Sequence, residues 1–392
     1  MKIKWEGNNL HNLLAKSIQE LTELYPDQTI KNLVRRKQEY KKRGIIMEQQ
    51  PPRNEEGKLV STWEMMSKNN DGEPEVTTLH KYEYGRGSGD LLVKPVEAAI
   101  ITPDHRKPPL RDHRVIFVFS DAQIGYRRID GELVPIHDET AIKASLRLAN
   151  DLQPDTVVDL GDTTDFAELS RFSPDSDHFQ QTLQPSLQRT HDLFAEFTAA
   201  TPGARRVTVW SNHVKRLTDH VLKNAPALYN LKAVGDKYAA MSYPGLLKLD
   251  QIGWDYADGY PGEYEYADDL AFMHGTFAVS SGSTANKLSR ANYGRNVVQG
   301  HKHSIETQYH TDRKGRPLGA FVVGALCKID GAVPSYHNSV GVDNQPVKHF
   351  ENWQNGVMVI RDYSDGNYQF DQVVIRDGKL FYNGKLYDGN HE

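Results

Sequence analysis

Five short apolar runs, each stopping at a side chain able to bind a cation, constrain this chain more than any other feature. Val115 to Phe119 leads into Asp121-Ala122-Gln123. Thr156 to Leu160 leads into Gly161-Asp162-Thr163-Thr164-Asp165. Val207 to Trp210 leads into Ser211-Asn212-His213. Leu270 to Met273 leads into His274-Gly275, and Asn296 to Gln299 into Gly300-His301-Lys302-His303. Short continuous apolar runs suit strands buried on both faces. Helical patterns lie between them, at Asp138 to Leu152 and at Asp177 to Ala200, the latter expected to break at Pro185. Strands alternating with helices specify an α/β layered fold. In such folds ligands bind beyond the carboxyl ends of the strands, where all five polar groups fall. Packing supplies no reason for five core strands to stop at Asp, Asp, Asn, His and His-x-His.

The flanks read differently. Leu10, Leu13, Leu14, Ile18, Leu21 and Leu24 recur near helical spacing until Pro26. A second helix is expected from Asp27 to Gly44, carrying Lys31, Arg35, Arg36, Lys37, Lys41, Lys42 and Arg43 against Glu39 alone. Residues 1–44 therefore read as a basic helical segment with a loose likeness to a helix-turn-helix. Residues 45–112 are punctuated by prolines and alternate like a strand from Val76 to Tyr84, so a β-rich linker or small subdomain is expected. Residues 113–392 form the main α/β domain with a β-rich tail. There Asp365-Gly366, Asp377-Gly378 and Asn383-Gly384 are hairpin-turn signals.

The net charge of -5 excludes a molecule that is basic overall. Any nucleic-acid contact must be local, and Arg35, Arg36, Lys37, Lys41 and Lys42 are the candidates for phosphate-backbone contact. The single cysteine, Cys327, excludes an intrachain disulfide and a thiolate metal cage. Metal ligands must then be His, Asp, Glu, Asn or Gln. No apolar run approaches the roughly 20 residues of a membrane span. The opening residues lack the apolar core of a signal peptide, and a cytoplasmic location is expected.

The residue types suit two-metal hydrolysis. A carboxylate such as Asp162 can bridge two cations roughly 3.5–4 Å apart. Mixed nitrogen and oxygen ligands favour Mn, with Fe or Zn as substitutes, over Mg or Ca. The ordered set Asp121-x-Gln123, Gly161-Asp162-x-x-Asp165, Asn212-His213, His274 and Gly300-His301-x-His303 resembles the calcineurin-like metallophosphoesterase family, over residues 114 to 310. The resemblance implies a β-sandwich flanked by helices and two divalent metal ions. It makes Asp121, Gln123 and His303 ligands of the first metal and Asp162 the bridge. It makes Asn212, His274 and His301 ligands of the second metal, His213 the catalytic histidine and Asp165 a carboxylate that orients a ligand. Arg127 and Arg128, just after the first motif, are candidate substrate-phosphate contacts.

Three positions depart from the family pattern. Gln123 stands where a His is usual, a variant similar to that of some phage and bacterial members. Ser211 replaces the Gly before Asn-His, and is expected to cost strain if that backbone needs glycine. Val214 replaces the acid after His213, which leaves the imidazole without its usual partner. The implied reaction is in-line attack on phosphorus by a hydroxide shared between two metals. The basic helix tilts the expected substrate toward DNA or RNA, making the chain a phosphodiesterase or nuclease. A phosphomonoesterase acting on a protein or small metabolite is the alternative. A catalytically silent binding protein is the third reading, motivated by the three departures. The Gln variant and appended helical segment are similar to phage-encoded members, which would act in the host cytoplasm.

Overall fold

A computed structural model describes the backbone of residues 58–68 and 74–83, residues 97 and 99, and residues 111–391 apart from 171–177, 280–281, 332, 334–344, 346, 349 and 364. The expected basic helices of 1–44, with Arg35, Arg36, Lys37, Lys41 and Lys42, lie outside the described residues. The chain divides into two compact units, 1–92 and 93–392. In the first, β1 (Lys58–Lys68) and β2 (Pro74–Glu83) pair as an antiparallel hairpin.

The second unit opens with β3 (Arg114–Phe119) and a small hairpin of β4 (Tyr126–Ile129) and β5 (Glu132–Pro135). Next come α1 (Glu139–Leu152), β6 (Thr156–Asp159), α2 (Leu183–Ala200), β7 (Arg205–Val209) and α3 (Asn212–Asn224). The one-turn helix α4 (Tyr243–Leu246) precedes β8 (Asp255–Ala257), β9 (Glu263–Ala267) and β10 (Leu270–Met273). Then follow α5 (Thr284–Ala291), β11 (Asn296–Gln299), β12 (Glu306–Thr311) and β13 (Pro317–Val322). The tail supplies β14 (Asn355–Asp362), β15 (Tyr368–Ile375), β16 (Lys379–Tyr382) and β17 (Lys385–Asp388).

Two sheets result. One has the order β15-β14-β3-β6-β7-β8, the other β12-β13-β11-β10-β9. Strands β3, β6, β7 and β8 run parallel, as do β10, β11 and β13. The period of two along β3 sorts its side chains between two cores. Ile116 and Val118 join Val158, Leu160, Leu270, Phe272, Val298, Phe321, Met358 and Ile360 in a layer between the sheets. Val115, Phe117 and Phe119 point the other way, into a layer with Ala141, Leu148, Leu193, Phe194 and Phe197 of α1 and α2. Phe272 is fully buried, and burying such a side chain stabilises by roughly 1.5–3 kcal/mol. On the outer face of the second sheet, Met273, Val297 and Ala320 pack on Leu288 of α5. The expected α/β sandwich flanked by helices is the fold observed.

Local signals explain most boundaries. Asp138 caps α1, accepting from the Thr140 and Ala141 N–H groups at 2.9 and 3.1 Å. The predicted break at Pro185 is not found. Helix α2 starts at Leu183, so Pro185 sits in the first turn, where an N–H has no helical acceptor to lose. Asp377-Gly378 and Asn383-Gly384 each take two consecutive positive φ angles, 50° and 69°, then 48° and 76°. Those are the two-residue hairpin turns their sequence signals. Of the β-rich tail, β14 and β15 join the main sheet, where β14 pairs antiparallel with β3, and β16 and β17 form a hairpin of their own. No helix among the described residues is long and apolar enough to cross a membrane.

Candidate metal centre

The segments that follow β3, β6 and β7 in one sheet meet those that follow β10 and β11 in the other. Backbone and side-chain hydrogen bonds tie them together. Asp121 N–H donates to the Gly161 carbonyl at 3.0 Å, and Gln123 N–H to the Asp162 carbonyl at 3.0 Å. His301 N–H donates to Asp121 Oδ2 at 2.8 Å. His213 N–H, in the first turn of α3, donates to Asp162 Oδ1 at 3.0 Å, which sets a carboxylate against the positive end of a helix. Gly300 permits a close approach, since a Cβ there would lie 2.1 Å from Ser120 Oγ. Gly161, at φ +90°, would put a Cβ 2.7 Å from that of Ser211.

The backbone is strained where the polar groups lie. Asp121, Gln123, Asp162, His301 and His303 all adopt left-handed φ angles, of 51°, 48°, 51°, 68° and 59°. Each such residue costs of order 1–3 kcal/mol, and such strain gathers at functional sites.

Around His274 four atoms with lone pairs converge. Its Nδ1 lies 2.9 Å from the Leu160 carbonyl, so the Nδ1–H donates there and Nε2 turns its lone pair inward. That Nε2 is 2.6 Å from Asn212 Oδ1, 3.1 Å from His301 Nδ1 and 3.3 Å from Asp162 Oδ2. Ligand atoms of Asp162, His274 and His301 all fall within 4.8 Å of one another. Acceptors so close repel unless a proton or a cation lies among them. Ligands bound to one ion at ~2.0–2.2 Å stand about 3 Å apart, which this spacing matches.

A second cluster adjoins the first. His303 Nε2 is 3.1 Å from Asp121 Oδ1 and 3.3 Å from Gln123 Nε2. Gln123 Oε1 is buried with no hydrogen-bond partner, and Asp121 Oδ1 has only the His303 ring beside it. A buried orphaned acceptor costs about 1–3 kcal/mol, so these oxygens fit a cation they can share with His303. Behind the ring, His303 Nδ1 lies 4.0 Å from Cys327 Sγ, and Trp353 packs edge-on at 4.3 Å. Cys327 is fully buried.

The electrostatics are those of crowded imidazoles and carboxylates. Burial alone would raise the Asp162 carboxyl, but the charges of His213, His274 and His301 hold it well below its usual range. Burial opposes a proton on His274, yet Asp162 and Asp121 outweigh it and lift the ring to about 9. His301 goes the other way, to about 4, through burial and the charge of His274. A proton on His274 and a cation at its Nε2 answer the same set of lone pairs.

His213 stands on the wall of this site. Its Nε2 is 3.6 Å from Asp162 Oδ2, and its Nδ1 is 3.3 Å from Asp165 Oδ1. The acid missing at position 214 thus has a counterpart across the loop. Val214 itself is 5% exposed and joins the helix-side core with Leu217 and Val221, where a carboxylate would be costly. Ser211 brings no strain: its φ and ψ of -142° and 167° are extended, open to any residue. The expected cost at Ser211 is therefore absent.

A cleft of roughly 660 Å³ opens over the site and is lined by Gln123, Asp162, Asp165, Asn212, His213, His301 and His303. Lys215, Arg216, Asp219, His220 and Lys223 of α3, with Lys302, Glu351 and Trp353, also line it. The predicted phosphate contacts Arg127 and Arg128 are not among the lining residues. Arg127 is 3% exposed and stacks over Phe179, 5.1 Å from the ring centre. Arg128 spends its guanidinium on the Gly131 and Gln180 carbonyls at 2.9 and 3.5 Å. Arg216 was the group to notice instead, for it lies three residues after His213 and so shares its helix face. Nothing in the sequence marks Trp353, which a distant loop delivers.

No protein-family model matches this chain. It is similar to the Gene 54 protein of Mycobacterium phage D29, 28% identical over 285 residues that span 70% of this chain and 98% of that protein. The Gene 54 protein of Mycobacterium phage L5 is 26% identical over 284 residues, with the same shares of 70% and 98%. Three solved structures show a faint likeness. A phosphoesterase from E. coli matches at 11% identity and TM-score 0.26, over 67% of this chain and 100% of that one. A purple acid phosphatase from yellow lupin seeds matches at 12% and 0.33, over 82% and 58%. A dimetal phosphatase from Danio rerio matches at 11% and 0.29, over 67% and 99%. Likeness at this level decides nothing about function.

Proposed function

We propose that this chain is a metal-dependent phosphoester hydrolase of the calcineurin-like type. The observation that carries the reading is the convergence of Asn212 Oδ1, His301 Nδ1 and Asp162 Oδ2 on His274 Nε2, at 2.6, 3.1 and 3.3 Å. Asn212, His274 and His301 would hold one divalent cation. Asp121, Gln123 and His303 would hold a second, with Asp162 between the two. The mixed oxygen and nitrogen donors favour Mn, with Fe or Zn as substitutes. Divalent cations bound here would supply the Lewis acidity that makes water a nucleophile at neutral pH and neutralises phosphoryl oxygens. The chain's own groups do the rest. Asp165 orients His213, and His213 faces the phosphoryl group from the wall of α3. Leu160 and Cys327 fix the rings of His274 and His303.

The substrate we favour is a nucleic-acid phosphodiester. The cleft-lining side of α3 runs on from Asn212 through Arg216 and His220 to Lys223. At 1.5 Å per residue that strip is roughly 16 Å long, more than one small monoester needs. Lys302 adds to it. Relatives encoded by phages support a phage-encoded enzyme working in host cytoplasm. Residues 1–44 would add phosphate-backbone contacts and 45–112 would join them to the main domain at 113. A silent site is disfavoured, since Ser211 has an ordinary extended backbone and Val214 packs in the core.

The test is turnover by Mn-loaded protein of a bis-aryl phosphodiester, an aryl phosphomonoester and a labelled oligonucleotide, with Asp162→Ala beside it. Diester and oligonucleotide cleavage that disappears in the variant is expected. Equal rates in wild type and variant, over several metals, would sink the hydrolase reading. A clear preference for the monoester would sink the nuclease reading alone.

A further inference from the structure

One cation of the cleft lies closer to the candidate centre than its role so far explains. Arg216 follows His213 by one turn of α3, with its side chain 25% exposed. Its Nη1 donates to the Asp165 carbonyl at 2.8 Å, and its Nη2 is 2.8 Å from His213 Nε2. A guanidinium has only donors and keeps its charge, so His213 Nε2 is the acceptor of that bond. The ring proton then sits on Nδ1, 3.3 Å from Asp165 Oδ1. In this arrangement His213 points no proton into the cleft. The fixed positive charge against His213 is that of Arg216.

Two of the five N–H groups of Arg216 are engaged by these contacts, and three remain. Lys302 also lines the cleft, from the loop between His301 and His303, but the other cations are placed otherwise. Lys215 is paired with Asp219 at 2.5 Å, and Arg127 and Arg128 do not line the cleft. His220 and Lys223 are one and nearly two turns further along α3 from Arg216. Planar guanidinium groups match the spacing of two phosphoryl oxygens, and such charge-assisted bonds are the strong ones.

We propose that Arg216 is the phosphate clamp of this site. Through Nη2 it pins His213 with Nε2 as acceptor, and it offers its remaining N–H groups to two oxygens of the phosphoryl group. The proposal rests on the hydrolase reading for its substrate, but phosphate binding tests it separately. Inorganic phosphate is titrated calorimetrically into the Mn-loaded full chain, into Arg216→Ala and into Arg216→Lys. Metal content and circular dichroism report whether each variant is loaded and folded.

Arg216→Ala should weaken phosphate binding about tenfold or more at unchanged metal content, as loss of a bond to a charged group requires. Arg216→Lys should recover part of that loss. In turnover, kcat should fall more than KM rises, and added guanidinium should speed Arg216→Ala but leave the wild type unchanged. A folded, metal-loaded Arg216→Ala that binds phosphate within about twofold of wild type overturns the clamp. So does a wild type that binds no phosphate. Phosphate binding that depends on Arg216, in a protein that hydrolyses no ester, upholds the clamp and overturns the hydrolase.

Discussion

Replacing His274 by alanine should remove the stability this protein gains from a divalent cation at the His274 cluster. The magnitude follows from the geometry. His274 Nε2 is the hub of three contacts, 2.6, 3.1 and 3.3 Å from Asn212, His301 and Asp162. Without it, three donors remain and no ring joins them. A ligand at 100 times its Kd stabilises a folded protein by about 2.7 kcal/mol. In a unit of this size each kcal/mol moves Tm by roughly 2–4 °C. Mn at that excess should therefore raise the wild-type Tm by about 5–10 °C. His274→Ala should lack that rise and keep only what a cation at Asp121, Gln123 and His303 contributes. The variant also leaves the Leu160 carbonyl without its 2.9 Å donor, which costs about 1–3 kcal/mol by itself. The absolute Tm is thus no guide, and the difference between Mn-loaded and chelator-treated protein is the quantity to read. Scanning calorimetry measures it, with His310→Ala as a control, since His310 pairs with Ser289 on β12 and α5. A folded His274→Ala that keeps the full metal-dependent rise would refute the centre as drawn.

Two further outcomes follow from packing and charge. Gly300→Ala places a Cβ 2.1 Å from Ser120 Oγ and 3.0 Å from Asp121 Oδ2, so urea denaturation should show a loss of about 1–3 kcal/mol; unchanged stability would mean the close approach is wrong. Glu139 accepts from Arg189 Nε and Nη2 at 2.7 and 2.9 Å and faces His137 Nε2 at 2.8 Å. Burial would raise its carboxyl, but the Arg189 and His137 bonds hold it well below its ordinary value. A depressed acid stabilises above its unfolded pKa and loses that contribution as pH falls. The stability gap between wild type and Glu139→Gln should hold steady above about pH 5 and narrow below it, and a gap that widens on acidification would contradict the sign.

Where sequence reasoning succeeded, the cause was local. The run from Val115 to Phe119 is apolar throughout because both its faces are covered, and a run of that kind reads as a buried strand without any knowledge of its neighbours. Asp377-Gly378 and Asn383-Gly384 are legible because their φ angles are set by those residues alone. Pro185 misled because a proline marks a helix start as readily as a break, and only the position of Leu183 decides which.

The order of chemistry along the chain, from Asp121 to His303, was likewise present in the sequence, since each group directly follows its own strand. Which groups face one another was not. Asp165 stands against His213, Arg216 closes on the same ring, and Cys327 and Trp353 back His303 from loops more than twenty residues away in sequence. These pairings depend on how two sheets stack and how α3 leaves β7. By itself the sequence determined the strands, the turns and the candidate donors, because those follow from neighbours in the chain. Only the tertiary structure decided the partners, because a contact across two sheets depends on the distance between side chains that no local pattern encodes.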